Sequence, residues 1–278
     1  MDVRTFENNA GAFYDTALPY LTDAEAENVL LIGVSSRLAT EPAMDSPQSF
    51  FWTVRDGGEV CGAAMWTPPH DLILSHPLSD AAVGILCESL LGMELALPGV
   101  LGPDYAASEF AGRWTAGGTA RADLWRRERI YRLQQVEPFP VPGGTIVQAE
   151  EDHVSGLTGW LDGFFREVGE EGDPSAVLST AVAAGRLFLW WRRKPVSMAA
   201  STRPTPNGVC INLVYTPPEE RRRGYATALV GTLSRMLLGQ GRSFCALYTD
   251  LANPTSNSMY RRVGYVPILD CHHYRFVG

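Results

Sequence analysis

Residues 213–229 carry the sequence LVYTPPEERRRGYATAL, in which a strand is followed by a loop rich in proline and arginine and then by a helix. The apolar run ends at Tyr215, and Gly224 stands at the start of a helix whose apolar residues form one stripe along positions 223–238. Unpaired N–H groups at the start of a helix attract anions, and nearby arginines add charge-assisted hydrogen bonds. The stretch therefore predicts a phosphate-binding loop, with a solvated basic run before an ordinary helix as the alternative.

Two common nucleotide-binding motifs are missing from the sequence. No G-x-x-x-x-G-K-[ST] occurs, and no G-x-G-x-x-G follows a strand. Nucleoside triphosphates and dinucleotides are therefore poor fits to the loop.

The loop resembles the cofactor-binding signature of a known superfamily. Residues 221–226 (RRRGYA) match the R/Q-x-x-G-x-G/A signature of the GNAT superfamily of acyl-CoA-dependent N-acetyltransferases, and residues 213–217 look like its fourth strand. Asn253, Tyr260 and the following Gly-Tyr pair are similar to the N-x-x-x-x-x-x-Y-x-x-x-G-F/Y segment of the same superfamily. The resemblance covers roughly residues 145–278.

The resemblance implies a sheet whose fourth and fifth strands splay apart, with the pantetheine arm of acetyl-CoA between them. That arm is expected to pair with backbone near Val214 and to bond Asn253, while the pyrophosphate sits on the amides of residues 222–227. Tyr260 is expected to face the thioester sulfur as general acid, with a tyrosine that only packs on the sheet as the alternative. The cofactor-binding residues implied are Val214, Tyr215, Thr216, Arg221, Arg222, Arg223, Gly224, Tyr225, Ala226, Thr227, Asn253 and Asn257.

The base that deprotonates the amine is not evident in the sequence. Glu219 and Glu220 lie in the loop before the phosphate site and Asp250 ends a strand, but the first two also fit solvated charges and the third a turn residue. Members of the superfamily often deprotonate the amine through water. The histidines show no metal-ligand spacing and are expected on the surface or in packing: His70, His76, His153, His272 and His273.

Composition narrows the classes of protein and of partner. The chain has 278 residues, 45% of them hydrophobic and 19% charged, which favours a globular fold over disorder. A net charge of −8 gives no general attraction for nucleic acid or anionic membranes. The resemblance implies an amine-bearing acceptor; a small molecule is favoured, and a peptide N-terminus or a lysine side chain stays open. The sequence has no long apolar run and no signal-peptide pattern, so a cytoplasmic protein is expected.

The cysteines indicate neither a disulfide framework nor a zinc site. They are odd in number, far apart and never in a C-x-x-C pair. We expect reduced and mostly buried thiols at Cys61, Cys87, Cys210, Cys245 and Cys271.

A cluster of prolines and glycines at residues 138–144 predicts a domain boundary, which divides the chain into domains 1–140 and 141–278. The fold class is α/β (α+β), with two GNAT-like domains in tandem, each a mixed twisted sheet flanked by helices. Both halves have a similar order of helices and strands, which suggests a duplication; two unrelated halves are the alternative.

The first half is predicted to be a degenerate copy that cannot hold the cofactor. An S/T-x-x-E capping box at residues 22–25 predicts the start of a helix, and residues 50–66 predict a hairpin. Residues 75–79 contain no arginine cluster and no R-x-x-G-x-A. The first half is expected to form one wall of the acceptor cleft. Aromatic residues fit either that wall or a core: Phe50, Phe51, Trp52, Trp66 and Trp114.

The expected reaction is direct attack of a primary amine on acetyl-CoA in a ternary complex. A non-catalytic acyl-CoA-binding or regulatory module is the alternative from another class, because no convincing base is visible. A longer acyl donor also stays open, since Ala199, Ala200 and Ser201 near the expected cleft do not fix the length of the acyl chain. Two tandem copies in one chain can mimic a dimer, so a monomer is favoured.

Overall fold

The computed structural model describes residues 1–40 and 48–278. By contacts between residues, the described chain forms two compact units. Unit 1 consists of Met1–Tyr131, Tyr248–Asn253 and Pro267–Gly278, and unit 2 of Arg132–Leu247 and Pro254–Val266.

Over its described residues, unit 1 contains most of a mixed sheet and four helices. Its strands follow the order β1-β2-β3-β4-β5-β12-β6, in which β4 and β5 are parallel and β5 and β12 antiparallel. The strands are β1 (Asp2–Glu7), β2 (Phe50–Asp56), β3 (Glu59–Trp66), β4 (Leu72–Leu74), β5 (Gly99–Pro103), β6 (Arg121–Leu133) and β12 (Val266–Val277). The helices are α1 (Ala10–Thr22), α2 (Val29–Thr40), α3 (Asp80–Leu91) and α4 (Asp104–Thr115).

The predicted hairpin is confirmed, and its aromatic residues form core. Strands β2 and β3 pair in antiparallel register around Gly57 and Gly58, whose φ values of 58° and 96° suit glycine. Phe50, Phe51, Trp52 and Trp66 are all buried, and Trp114 stacks on Phe110 with a centroid distance of 5.7 Å. These side chains therefore belong to the hydrophobic core, which was one of the two locations that the sequence left open.

The helix start predicted at residues 22–25 is wrong. Thr22 is the last residue of α1, and its hydroxyl donates to the carbonyl of Leu18 at 2.9 Å. The side chain therefore bonds back into the preceding turn and caps nothing ahead of it. The actual start of α1 is capped by Asn9, which accepts from the N–H of Ala12 at 3.0 Å, and α2 begins only at Val29.

Unit 2 places helices against a second run of strands. The strand order is β11-β10-β9-β8-β7, with β10 and β11 parallel and the other neighbours antiparallel. The elements are β7 (Thr145–Gln148), α5 (Glu151–Val168), α6 (Pro174–Ala183), β8 (Leu187–Trp191), β9 (Pro195–Thr202), β10 (Gly208–Tyr215), α7 (Tyr225–Gly239), β11 (Phe244–Asp250) and α8 (Pro254–Val263). The last residues of β11 group with unit 1.

Helix α6 was not predicted from the sequence, although a local signal for it exists. The Asp173 carboxylate accepts from the N–H groups of Ser175 and Ala176 at 2.9 and 3.2 Å, and Pro174 occupies the first turn. An acidic cap followed by proline is a typical helix start. With α5, this helix buries Leu178 and its neighbours against the sheet of unit 2.

Candidate functional site

Strands β10 and β11 are paired at one end only. The parallel register joins Gly208, Val209 and Cys210 to residues 244–246, and it ends there. A Cβ at Gly208 would overlap the Phe244 ring, so the strands are in closest approach at this end. Beyond Cys210, β10 continues to Tyr215 without a partner in β11, as the GNAT resemblance implied.

A bulge in β10 frees backbone groups next to this splay. The register between β9 and β10 shifts between Asn212 and Tyr215, and Leu213 has a φ of 51°, which is rare for leucine. The Asn212 side chain accepts from the N–H of Leu213 at 2.8 Å, which holds the turn. The backbone of Val214 therefore leaves the ladder with β9, and the Tyr215 carbonyl accepts from the Ser197 hydroxyl at 3.0 Å.

The loop at the start of α7 has the backbone of an anion-binding nest. Arg222 and Gly224 both have positive φ, of 62° and 78°, and the first helical hydrogen bond runs from Ala228 N–H to Gly224 O at 3.0 Å. The amides of residues 225–227 are consequently first-turn donors that have no acceptor within the helix. Gly224 is the N-cap and supplies no side chain that could occupy them.

Carboxylates hold two of the three loop arginines in place. Arg221 donates to Glu167 at 2.5 Å, and Arg223 donates to Glu220 at 2.8 Å. Lys194 reaches the same Glu220 at 3.2 Å.

Arg222 differs from these two arginines. It is exposed, and within the described parts of the chain it forms no ion pair. Arg222 is therefore the loop cation with the most freedom to bind an incoming anion.

Glu220 and Asp250 have structural contacts that account for them, whereas Glu219 lies on the surface. Glu220 is 7% exposed and is bound to both Lys194 and Arg223, so it organises the loop. Glu219 is exposed on the same short 3₁₀ turn. Asp250 accepts from the N–H of Ala252 at 2.7 Å, as a turn residue does.

Tyr225 connects the loop to the β8–β9 hairpin, a contact that sequence reasoning missed. Its hydroxyl accepts from the Arg192 guanidinium at 2.9 Å, and its side chain is buried. This hydrogen bond, with Arg223 nearby, lowers the pKa of the Tyr225 phenol. A tyrosine after the signature glycine and an arginine in the preceding hairpin were the only local signals.

Tyr260 and Asn257 lie on one face of α8. Both side chains are 7% exposed, and residues three apart in a helix share a face. Burial raises the pKa of the Tyr260 phenol above its usual range, with a smaller contribution from Cys210. The phenol is therefore neutral near pH 7 and carries a proton.

The glycine of the second motif is required for steric reasons. Gly264 has a φ of 110°, and a Cβ there would lie 2.9 Å from the carbonyl oxygen of Gln135. The next residue, Tyr265, stacks edge-on against Tyr260 with a centroid distance of 5.9 Å, and its hydroxyl bonds the Ser234 hydroxyl at 2.9 Å.

Asn253 groups by contacts with unit 1, unlike the other cofactor-binding candidates. It is exposed directly before α8, and its N–H donates to the Asp250 carbonyl at 3.1 Å. Its role toward a ligand stays a prediction.

The cysteines and three of the histidines have contacts or burial that account for them. All five cysteines are free thiols, four of them buried, as predicted. His272 bonds the Ser108 hydroxyl at 3.0 Å, His273 bonds Asp71, and His153 accepts from the N–H of Glu150 at 3.0 Å. Over residues 1–40 and 48–278, no three His, Cys, Asp or Glu side chains are arranged to hold a metal ion. None of the helices in those ranges is long and apolar enough to cross a membrane.

Comparisons with known proteins converge on one fold. The family model described as FR47-like protein matches residues 190–276. A GCN5-related N-acetyltransferase from Sphaerobacter thermophilus aligns with 98% of this chain and 95% of its own, at 14% identity and a TM-score of 0.62. A tandem GNAT protein from the clavulanic acid biosynthesis pathway aligns with 99% of this chain and 98% of its own, at 13% identity and a TM-score of 0.60.

A third structure, an acetyltransferase of the GNAT family from Colwellia psychrerythraea, aligns over the full length of both chains at 10% identity and a TM-score of 0.58. The chain has the GNAT fold. No curated protein has detectable sequence similarity to it. The FR47-like match contains the loop before α7 and all of α8, so the two motifs that suggested the GNAT resemblance both lie inside the matched segment.

Proposed function

We propose that this GNAT-fold chain is an N-acetyltransferase that moves an acetyl group from acetyl-CoA to a primary amine. The observation that carries the proposal is a strand, β10, that separates from β11 and leads directly into a loop of uncapped helix amides. One ligand with an extended arm and a diphosphate matches both features, because the arm can pair with strand backbone and the diphosphate can bind the amides.

The residues present fit acetyl-CoA at each end of that ligand. The amides of residues 222–227 would hold the diphosphate, with Arg222 adding a charge-assisted hydrogen bond. Backbone groups of Val214 and Tyr215 would pair with the pantetheine arm, and Asn253 and Asn257 would bond it. Acetyl-CoA supplies the acyl group in activated form, as a thioester.

The residues of this chain would contribute proton transfer to the reaction. In the reaction the amine nitrogen forms a bond to the acyl carbon, the carbon–sulfur bond breaks, the amine loses a proton and the departing thiolate gains one. Tyr260 holds a proton at its phenol oxygen and would supply it to the thiolate. Glu220 and Asp250 are engaged structurally, so we assign removal of the amine proton to water.

The proposal also assigns different roles to the two halves of the chain. The likeness to a tandem GNAT protein over nearly the whole chain supports two related domains. Unit 2 would bind the acyl donor, and the first half would bind no cofactor. We also propose a monomer that acts on a small-molecule acceptor.

Calorimetric titration with acetyl-CoA tests the proposal. The variant Gly224→Glu places a charged side chain at the nest, and we expect it to abolish measurable binding. Gly241→Glu is the matched control, since Gly241 also has positive φ, is exposed and lies just past the other end of α7. Because a side chain at positive φ is strained at both positions, the comparison separates a ligand effect from a folding effect. Retained affinity in Gly224→Glu would refute the assignment.

The same titration distinguishes the alternatives. Tighter binding of a longer acyl-CoA than of acetyl-CoA would identify the longer acyl-CoA as the donor. Tight acetyl-CoA binding without transfer to any amine in a broad panel would indicate a non-catalytic binding module.

A further inference from the structure

A cavity of about 330 Å³ lies beside the bulge of β10, on the side of the sheet that α5 and α6 cover. Leu213, the residue with positive φ in the bulge, forms part of its wall. The cavity therefore borders the same backbone segment that the proposed function assigns to the acyl donor. Its volume lies at the lower end of the range that small-molecule sites occupy.

Helix α6 supplies most of the wall, and it does so with small side chains. Ala176, Val177, Thr180 and Ala181 face the cavity. The cavity exists because no large residue on this face of α6 fills the space. Side chains of this kind suit an aliphatic or aromatic body and offer little to a polar one.

Among the described residues, Arg186 is the only charged side chain of the cavity wall. Its backbone is fixed on both sides, because its N–H donates to the Ala181 carbonyl at 2.8 Å and its carbonyl accepts from Ser201 N–H at 2.9 Å. Its guanidinium is exposed and has no carboxylate partner within the described residues. The backbone of Arg186 is thus fixed at the cavity, and its exposed guanidinium is available to a ligand.

We propose that this cavity binds the acceptor, and that the acceptor is an amine with an apolar body and a carboxylate that Arg186 holds. An arginine presents two parallel donors that match a carboxylate, and it repels a second ammonium group. The assignment rests on the proposed function, because only an acyl donor on β10 makes a neighbouring amine an acceptor. The positive charge of Arg186 also excludes polyamines and other dications as good acceptors.

The test is calorimetric titration of the protein, saturated with CoA, with two matched pairs of amines. The pairs are 6-aminohexanoate with hexylamine, in which a methyl group replaces the carboxylate, and phenylalanine with phenethylamine, in which a hydrogen atom replaces it. We expect the carboxylate member of at least one pair to bind about tenfold or more tightly than its partner. Arg186→Met should remove that difference and leave CoA affinity unchanged.

Two further variants separate the ligand effect from stability. Arg166→Met removes an exposed arginine of α5 that pairs with Asp162, and the carboxylate preference should persist in it. Thr180→Trp fills the cavity from an exposed position of α6 and should weaken every amine without affecting CoA.

The outcomes distinguish this inference from the proposed function. If CoA binds but neither pair shows a carboxylate preference, or if Arg186→Met keeps the preference, the acceptor assignment is wrong and the proposed function stands. If neither CoA nor acetyl-CoA binds, the proposed function fails, and the acceptor assignment fails with it.

Discussion

Helices α3 of unit 1 and α7 of unit 2 begin in opposite ways. The first turn of α3 is capped by Ser79, whose hydroxyl accepts from the N–H of Ala82 at 3.3 Å, and Asp80 adds a negative charge there. The first turn of α7 has Gly224 as its cap, no acidic residue and exposed arginines ahead of it. A helix start is therefore not an anion site by itself.

The residue at the cap decides whether a helix start can bind an external anion. At α3 the helix's own side chains satisfy the amides and the dipole, so an external phosphate gains little. At α7 the same groups are left to a ligand. Helix α6 repeats the first arrangement, with the Asp173 carboxylate on its first amides. This contrast is the physical basis for assigning cofactor binding to unit 2.

The largest effect is expected at Tyr260. Replacing Tyr260 by Phe removes the proton donor from the unit that has the open helix start, and kcat should fall about 100-fold, within the usual range for loss of a general acid. The Kd for acetyl-CoA should stay within about twofold.

Tyr265→Phe is the control for Tyr260→Phe. It removes a buried hydroxyl that bonds Ser234, so it should lower stability and leave kcat nearly unchanged. An unchanged kcat in Tyr260→Phe would remove this residue from the mechanism and leave it as packing.

The arginines before α7 sharpen the comparison further. Arg222→Met should weaken acetyl-CoA binding about tenfold, because this guanidinium has no carboxylate partner within the described chain. Arg223→Met should weaken it less, because Arg223 is already engaged by Glu220. Titrations at two salt concentrations would check this, and equal losses in the two variants would contradict the assignment.

The raised pKa of Tyr260 predicts a dependence of stability on pH. Burial favours the neutral phenol in the folded state, so its contribution to the free energy of unfolding is complete below the unfolded value near pH 10 and is lost as pH rises above it. Urea unfolding at pH 8 and pH 10.5 measures the loss. Tyr260→Phe should lose less stability over this interval than the parent chain, and an equal loss would show that the phenol ionises freely.

The smallest effect is expected at the cap of α3. Ser79→Ala should lower the free energy of unfolding by about 1 kcal/mol, as loss of a helix cap does. It should leave acetyl-CoA affinity unchanged. Reduced affinity would mean that the start of α3 takes part in binding after all.

Local patterns predicted much of the fold and of the site. The turn glycines predicted the β2–β3 hairpin, and an apolar stripe predicted α7. These elements are set by neighbouring residues, so the sequence nearby contains the information. The loop before α7 belongs to the same group, because its glycine and arginines are adjacent in the chain.

Features that depend on distant residues could not be predicted. The positive φ of Leu213 arises from how β10 pairs with β9, and leucine gives no hint of it. The hydrogen bond from Arg192 to Tyr225 joins two elements far apart in sequence. Likewise, nothing in residues 267–278 shows that they group with unit 1. The Asp173-Pro174 start of α6 is different, since its signal was present and was missed.

Calorimetric titration of the intact protein with acetyl-CoA counts the molecules that bind per chain and shows whether only one helix start accepts the cofactor. The contrast between the two helix starts predicts one saturable site per chain, lost in Gly224→Glu and retained in Gly241→Glu. Two sites per chain, or none, would contradict the account.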